Sequence, residues 1–325
     1  MTEPCCSVII RAYNEERHIG RLLEGILHQT VQPEIILVDS GSTDATVAIA
    51  RRYPVRVVHI APEDFTFGRA LNLGIQHATA PFIVNASAHV YPVYPDWLER
   101  LIAPFADPRV AVTYGKQRGA ATTKFSEHQI FATWFPDGTG PRVQDHPFCN
   151  NANAAIRRAL WEQHPYDETL PGLEDLAWAK WAMEQGYRVV YVPEAEVIHV
   201  HDENFRQIYN RYRREAMAFK RIYPEARFSL LDFARLFSSN VLSDWWHARR
   251  QGVWRRVWWD VVRFRFWQFW GTYQGYRLAH QPLTAQLRQT FYYPRRWKDH
   301  PQPPRRDVAP IRYNEDVNKA SGRPT

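Results

Sequence analysis

Cysteine is scarce in this chain: there are three in 325 residues, and two of them, Cys5 and Cys6, are adjacent. A disulfide between neighbours would be badly strained, so a disulfide-stapled secreted fold is disfavoured and a reducing compartment is expected. Long apolar runs are missing as well. No stretch reaches the roughly 20 apolar residues needed to cross a bilayer, and Met1-Thr2-Glu3-Pro4 lacks the basic and apolar regions of a secretory signal. The expected location is the cytoplasm. A third absence is a glycine-rich phosphate loop, since the first apolar run, Ser7-Val8-Ile9-Ile10, leads into Tyr13-Asn14-Glu15-Glu16. That argues against a dinucleotide-dependent oxidoreductase.

What is present points to a globular protein with anionic partners. Hydrophobic residues make up 45% of the chain, enough for one large core and a smaller appendage. The net charge of +7 favours nucleotide phosphates, nucleic acid or an acidic membrane surface. The first half alternates short β-branched runs with amphipathic stretches, the pattern of an α/β fold with parallel strands and crossover helices. Strands are predicted at 7–10, 34–38, 55–60 and 82–84. Helices are predicted through Ile19, Leu22, Leu23, Ile26 and Leu27, through Val47 and Ala50, and over 69–77 with Leu71 and Ile75 facing inward. Strand ends in such sheets share one edge, so Ala12, Asp39 and Ser87 are expected around one crevice.

Four segments in fixed order carry the chemistry: Ala12-Tyr13-Asn14-Glu15, then 37–44 (LVDSGSTD), then Arg69-Ala70-Leu71-Asn72-Leu73-Gly74, then Gly172-Leu173-Glu174-Asp175. As a set, over roughly 7–221, they resemble the family 2 glycosyltransferases of the GT-A fold. The resemblance implies a Rossmann-like mixed sheet flanked by helices, and an inverting transfer of sugar from a nucleoside diphosphate donor, UDP- or dTDP-sugar favoured. The acceptor would be a hydroxyl of a glycan or lipid-linked molecule in cell-surface or exopolysaccharide synthesis. It also implies roles. Asp39 would accept from the imide N–H of the base. Ala12, Tyr13 and Glu15 would line the nucleoside pocket, with Ser87 beside it, and Arg69 and Asn72 would reach the nucleotide from a helix face. Asp175 would be the base that deprotonates the acceptor, supported by Glu174. Asn150, Asn151 and Asn153 would bind sugar hydroxyls, since amides both donate and accept.

Where the family carries an Asp-x-Asp signature holding Mg²⁺ or Mn²⁺, this chain has Ser87-Ala88-His89. Three readings stay open at this stage. His89 serves as a metal ligand, with His201 as the second candidate ligand; or the site works without metal, using His89, Lys116, Arg118 and Arg69 as cations; or catalysis is lost. The last would leave a nucleotide-sugar-binding or scaffold subunit of a glycan assembly complex.

From Asn204 on, the texture changes to basic, aromatic helices, and seven of the 13 tryptophans fall between Trp245 and Trp270. The expected division is a catalytic domain over 1–204, a helical module over 205–295 and a disordered tail over 296–325. The Trp/Arg helices suit either peripheral attachment to a membrane or packing against the core or a second subunit in a homodimer. No nucleic-acid motif is recognisable, so nucleic acid is not an expected partner.

Overall fold

The computed structural model describes residues 4–282 together with 284, 287, 291, 292 and 311; nearly all of the tail predicted to be disordered lies outside them. In chain order the elements are β1 (Ser7–Ala12), α1 (Ile19–Leu27), β2 (Glu34–Asp39), α2 (Thr46–Ala50), β3 (Arg56–His59) and α3 (Phe67–Gln76). Next come β4 (Phe82–Ser87), β5 (Val90–Pro92), α4 (Trp97–Ile102), β6 (Val110–Gly119), α5 (Phe125–Trp134), β7 (Arg142–Gln144) and β8 (Asn153–Arg157). The chain continues with α6 (Arg158–Gln163), α7 (Glu174–Glu184), β9 (Arg188–His199), α8 (Phe205–Ile222), α9 (Leu230–Arg250) and α10 (Trp254–Leu278). The strands and helices expected in the first 90 residues are all present, within a few residues of their predicted limits.

Among the described residues, nine strands form one mixed sheet in the order β3-β2-β1-β4-β8-β6-β9-β5, with β7 on β9. Strands β1 to β4 are mutually parallel where they pair, and β8 runs antiparallel between β4 and β6. Because strand side chains alternate between faces, Val8 and Ile10 join one core layer with Leu22, Ile26 and Trp97, while Ile9 joins the other with Leu71, Ile75 and Trp178. Both faces are covered, which is why β1 and β2 read as unbroken apolar runs. Each fully buried leucine or isoleucine in these layers contributes on the order of 1.5–3 kcal/mol. The register puts Ala12 beside Asp39 and Arg11 beside Ser87, so three strand ends meet at one edge.

Beyond the sheet, α8 starts at a capping box in which Asn204 Oδ1 accepts from the amides of Arg206 and Gln207 at 3.0 Å. Helix α10 lies directly on α8. A Cβ on Gly271 would fall 2.5 Å from the Tyr209 carbonyl, and one on Gly275 2.3 Å from that of Arg213. Glycine is therefore what lets these backbones approach. Gly275→Leu should force the helices apart and destabilise the protein by about 2 kcal/mol, seen as a lower thermal midpoint. Helix α9 is tied to α10 by the buried Arg265 guanidinium, which donates to both oxygens of Asp244 at 2.8 and 2.9 Å.

Candidate active site

A cleft of about 900 Å³ opens at the edge where β1, β2 and β4 end. One wall is made by two interlocked loops. The Asn14 amide donates to Ser42 Oγ at 2.9 Å, the Thr43 amide to Asn14 Oδ1 at 2.8 Å, and the Glu15 amide to Thr46 Oγ1 at 2.7 Å. Asn14 holds φ +56° to make this turn, and Leu173 on the opposite wall has the same φ. They are the two non-glycine residues with positive φ among the described residues, and both line the cleft. Left-handed backbone of this kind is costly for a residue with a Cβ and concentrates at functional sites.

Leu173 turns the chain into α7, so Glu174 and Asp175 occupy the first turn of that helix. Asn151, itself buried, holds both acids: its amide N–H donates to Asp175 Oδ2 at 2.9 Å and its side chain to Glu174 Oε1 at 3.2 Å. Glu174 also accepts from Arg11 Nη1 at 3.0 Å. Among the described residues no cation forms an ion pair with Asp175. Burial and then the adjacent Glu174 charge push its carboxyl up to about 7, against which its two backbone hydrogen bonds and Arg11 act only in part. A carboxylate tuned to this range takes and returns protons near neutral pH.

Three imidazoles converge on the same cleft. His89, His199 and His201 bring ring nitrogens within 4.8 Å of one another. In each ring Nδ1 is spoken for: by Glu15 Oε1 at 2.9 Å, by Gln117 Oε1 at 2.7 Å and by Glu127 Oε1 at 2.9 Å, respectively. These oxygens accept, so the Nδ1 atoms donate and any further proton or ligand falls to the Nε2 atoms. Those of His199 and His201 face each other at 3.1 Å, and Ser87 Oγ lies 3.1 Å from that of His89. Two ring nitrogens this close share either a proton, donated by one imidazole to the other, or a bound cation. Burial first, then His201, His89 and Arg211, hold His199 well below the ordinary imidazole range, so it is neutral.

The cleft extends onto α8, whose Gln207, Arg211, Arg214 and Glu215 line it. Arg211 donates to Glu127 Oε2 at 2.8 Å and contacts Glu203 at 2.7 Å. Burial opposes the Glu127 charge, but Arg211 and the His201 hydrogen bond outweigh it and hold the carboxyl at about 2.

Of the residues singled out from sequence, Ala12, Tyr13, Glu15, Ser87, His89, Asn150, Asn151, Glu174, Asp175 and His201 share the cleft. Six do not line it. Asn153 is fully buried, accepting from Trp97 Nε1 at 2.8 Å and donating to the carbonyls of Lys116 and Ala195. Asn72 is likewise spent, on Trp161, Tyr166 and Glu168. Arg69 does share a helix face with Asn72, but that face meets Glu168, and Arg69 pairs with it and with Asp64 in a separate surface depression. Asp39 is buried just before the cleft-lining Ser40, and its carboxylate accepts from the amides of Gly41 and Ser42 at 3.2 Å and faces His59. Lys116 and Arg118, the other suggested cations, pair with Glu196 away from the cleft. The arginines at the cleft are Arg11, Arg17, Arg211 and Arg214. Sequence reasoning missed Arg11, Gln117, Glu127 and Arg211, which belong to no motif; His199, noted beside His201, was the available signal for the third imidazole.

A mixed sheet with its crevice at the strand ends, a twin-loop wall and an acid pair opening a helix define a glycosyltransferase of the GT-A fold. The mannosyltransferase PcManGT from Pyrobaculum calidifontis, in complex with GDP-Man and Mn²⁺, matches it with a TM-score of 0.57 at 20% identity, over 83% of this chain and 86% of that one. GalNAc-T7 with UDP, GalNAc and Mn²⁺ matches with a TM-score of 0.53 at 17% identity, over 73% and 51%. Residues 7–164 match the family described as Glycosyl transferase family 2, and the chain carries a domain of that family. The O-antigen chain rhamnosyltransferase RfbN of Salmonella typhimurium is 28% identical over 221 residues, 63% of this chain and 69% of that protein. The 4,4'-diaponeurosporenoate glycosyltransferase of Staphylococcus aureus is 37% identical over 102 residues, 30% of this chain and 27% of that one.

Proposed function

We propose that this glycosyltransferase works with inversion, moving a sugar from a UDP- or dTDP-sugar to a hydroxyl of a glycan or lipid-linked acceptor in cell-surface polysaccharide synthesis. The observation that carries this reading is Asp175, a carboxylate on the cleft wall with its proton affinity raised to about 7. In the reaction, an acceptor hydroxyl placed against Asp175 loses its proton to Oδ1 or Oδ2 as its oxygen bonds the anomeric carbon. The bond from that carbon to the diphosphate breaks on the opposite face. Asn151 fixes the carboxylate's direction, and Arg11 keeps the Glu174 charge engaged so that Asp175 is the proton acceptor. Ala12, Tyr13 and Glu15 hold the nucleoside, with Asp39 shaping the turn beneath it, and Asn150 meets sugar hydroxyls. The relatives named for O-antigen chains support a polysaccharide acceptor. Residues 1–204 form the catalytic domain in this reading, with α8 of the helical module completing its cleft.

The three imidazoles suit a transition metal that accepts nitrogen ligands better than Mg²⁺, which prefers oxygen; Mn²⁺ is the ion to test because similar folds hold it. When bound, the ion would neutralise the charge that grows on the departing diphosphate. Glu127 would orient His201, so Glu127→Gln is expected to weaken Mn²⁺ binding about 10–100-fold, read by calorimetry or by the Mn²⁺ resonance signal.

Titration of the protein with UDP, dTDP and GDP, each with and without Mn²⁺, tests the donor site. Tight binding of uridine or thymidine diphosphate supports it, and binding of none of the three removes the nucleotide-sugar reading. Release of nucleoside diphosphate from the matching sugar donor in the presence of acceptor then separates a transferase from a binding subunit.

A further inference from the structure

Residues 245–259 cover the end of α9, the turn and the start of α10, and they hold five tryptophans, four arginines and no aspartate or glutamate. Counting arginine and carboxylate side chains alone, this tip is +4, against +7 for the whole chain of 325 residues. Arg249, Arg250, Arg255 and Arg256 are all exposed. So are Trp246, Trp258 and Trp259, at 53%, 43% and 54% of their surface, although indoles usually hide most of theirs in folded proteins. Of the two acids flanking the tip, Asp244 is buried and consumed by Arg265.

The tip is built rather than frayed. Trp245 Nε1 donates to the Trp258 carbonyl at 3.0 Å, pinning the end of α9 to α10. Arg250 stacks on Trp246 at 4.6 Å and Arg249 lies 5.6 Å from the Trp254 ring, so cation and indole stand side by side. Exposed Leu242 and Phe266 continue the apolar surface along both helices. At 1.5 Å per residue, Trp254 sits about 25 Å along α10 from Gly271, where that helix rests on α8 beside the cleft.

We propose that this hairpin tip seats the enzyme on an anionic lipid bilayer, with the exposed indoles at headgroup depth and the four arginines among lipid phosphates. Indoles are amphipathic and settle at that boundary, and arginines near it are drawn by the negative surface potential. A two-fold contact between copies at this tip would set +4 against +4, whereas an anionic membrane supplies the opposite sign. Nucleic acid would meet the charge and could stack on the rings, but it would leave the aliphatic Leu242 surface uncovered, which a bilayer interface takes up. The inference does not depend on which sugar is transferred.

Sedimentation of the full chain with phosphatidylcholine vesicles, with and without phosphatidylglycerol, tests it, alongside tryptophan quenching by brominated acyl chains. Binding is expected only with the anionic lipid and should weaken in high salt. It should fall about fivefold for each arginine removed in the series Arg249→Gln, Arg250→Gln, Arg255→Gln and Arg256→Gln. The combination Trp246→Ser, Trp258→Ser and Trp259→Ser should abolish quenching while nucleotide affinity and the thermal midpoint stay those of the parent. A parent protein that remains in the supernatant with phosphatidylglycerol overturns the proposal, as does undiminished binding by both sets of variants. A solution dimer that the tryptophan variant dissociates, or tighter binding to a DNA duplex than to the vesicles, overturns it too.

Discussion

Asp175→Asn is expected to lower kcat by about 10²–10⁴ while leaving nucleotide affinity near that of the parent. The amide keeps an oxygen that can accept from the Asn151 N–H, so the loop geometry survives and only proton acceptance is lost. The parent enzyme adds a second readout. Protonated Asp175 cannot act as a base, and its carboxyl is pushed up to about 7, so kcat/KM should climb with pH and level off above about 7. An ordinary aspartate would hold the plateau down to about pH 4. In the asparagine variant the residual rate should lose that rise. A parent profile flat between about pH 6 and 8, one pH unit either side of the shifted value, would remove Asp175 from the role of base.

The double replacement of His199 and His201 by alanine is expected to have the next largest effect. If their Nε2 atoms hold a divalent ion, losing both should reduce turnover by about a hundredfold or more, and a chelator should do the same to the parent. Calorimetry separates this from unfolding: the parent should bind its nucleoside diphosphate more tightly with Mn²⁺, and the double variant should bind it equally with and without. A parent whose activity and nucleotide affinity ignore both chelator and Mn²⁺ would show that the imidazoles serve as cationic or hydrogen-bonding groups instead. Ser87 and His89 would then act beside Arg11, Arg211 and Arg214, the arginines that the cleft presents with Arg17.

The first strands and helices were legible because their pattern is local. Val8 to Ile10 is apolar on both faces, as a strand covered on two sides must be, and Leu22, Leu23 and Ile26 repeat at helical spacing. The acid pair was legible because its position at the start of a helix is also local. The polar residues whose partners lie far along the chain were not. Asn153 looks like a sugar-binding amide beside Asn150 and Asn151, yet the β4–β8–β6 pairing carries it into the core, where Trp97, 56 residues away, takes its oxygen. Asn72 meets a similar end against Trp161 and Tyr166. Gln117 finds His199 across 82 residues only because β6 and β9 lie side by side, with a bulge between Gly115 and Gln117. No spacing rule reaches that far.

Glu127 has one oxygen on His201, at the foot of β9, and the other on Arg211, in α8. Composition draws a line near residue 204, and a truncated protein ending there would retain the sheet and the acid pair. It would also leave a buried carboxylate without its guanidinium, and an imidazole tethered to an acid no longer anchored. The change of texture in the sequence is thus a poor place to cut, and helices grafted from a relative would have to bring their own counterpart of Arg211. The sheet and the helices beyond it both hold on to Glu127, and whatever displaces one is felt at the other.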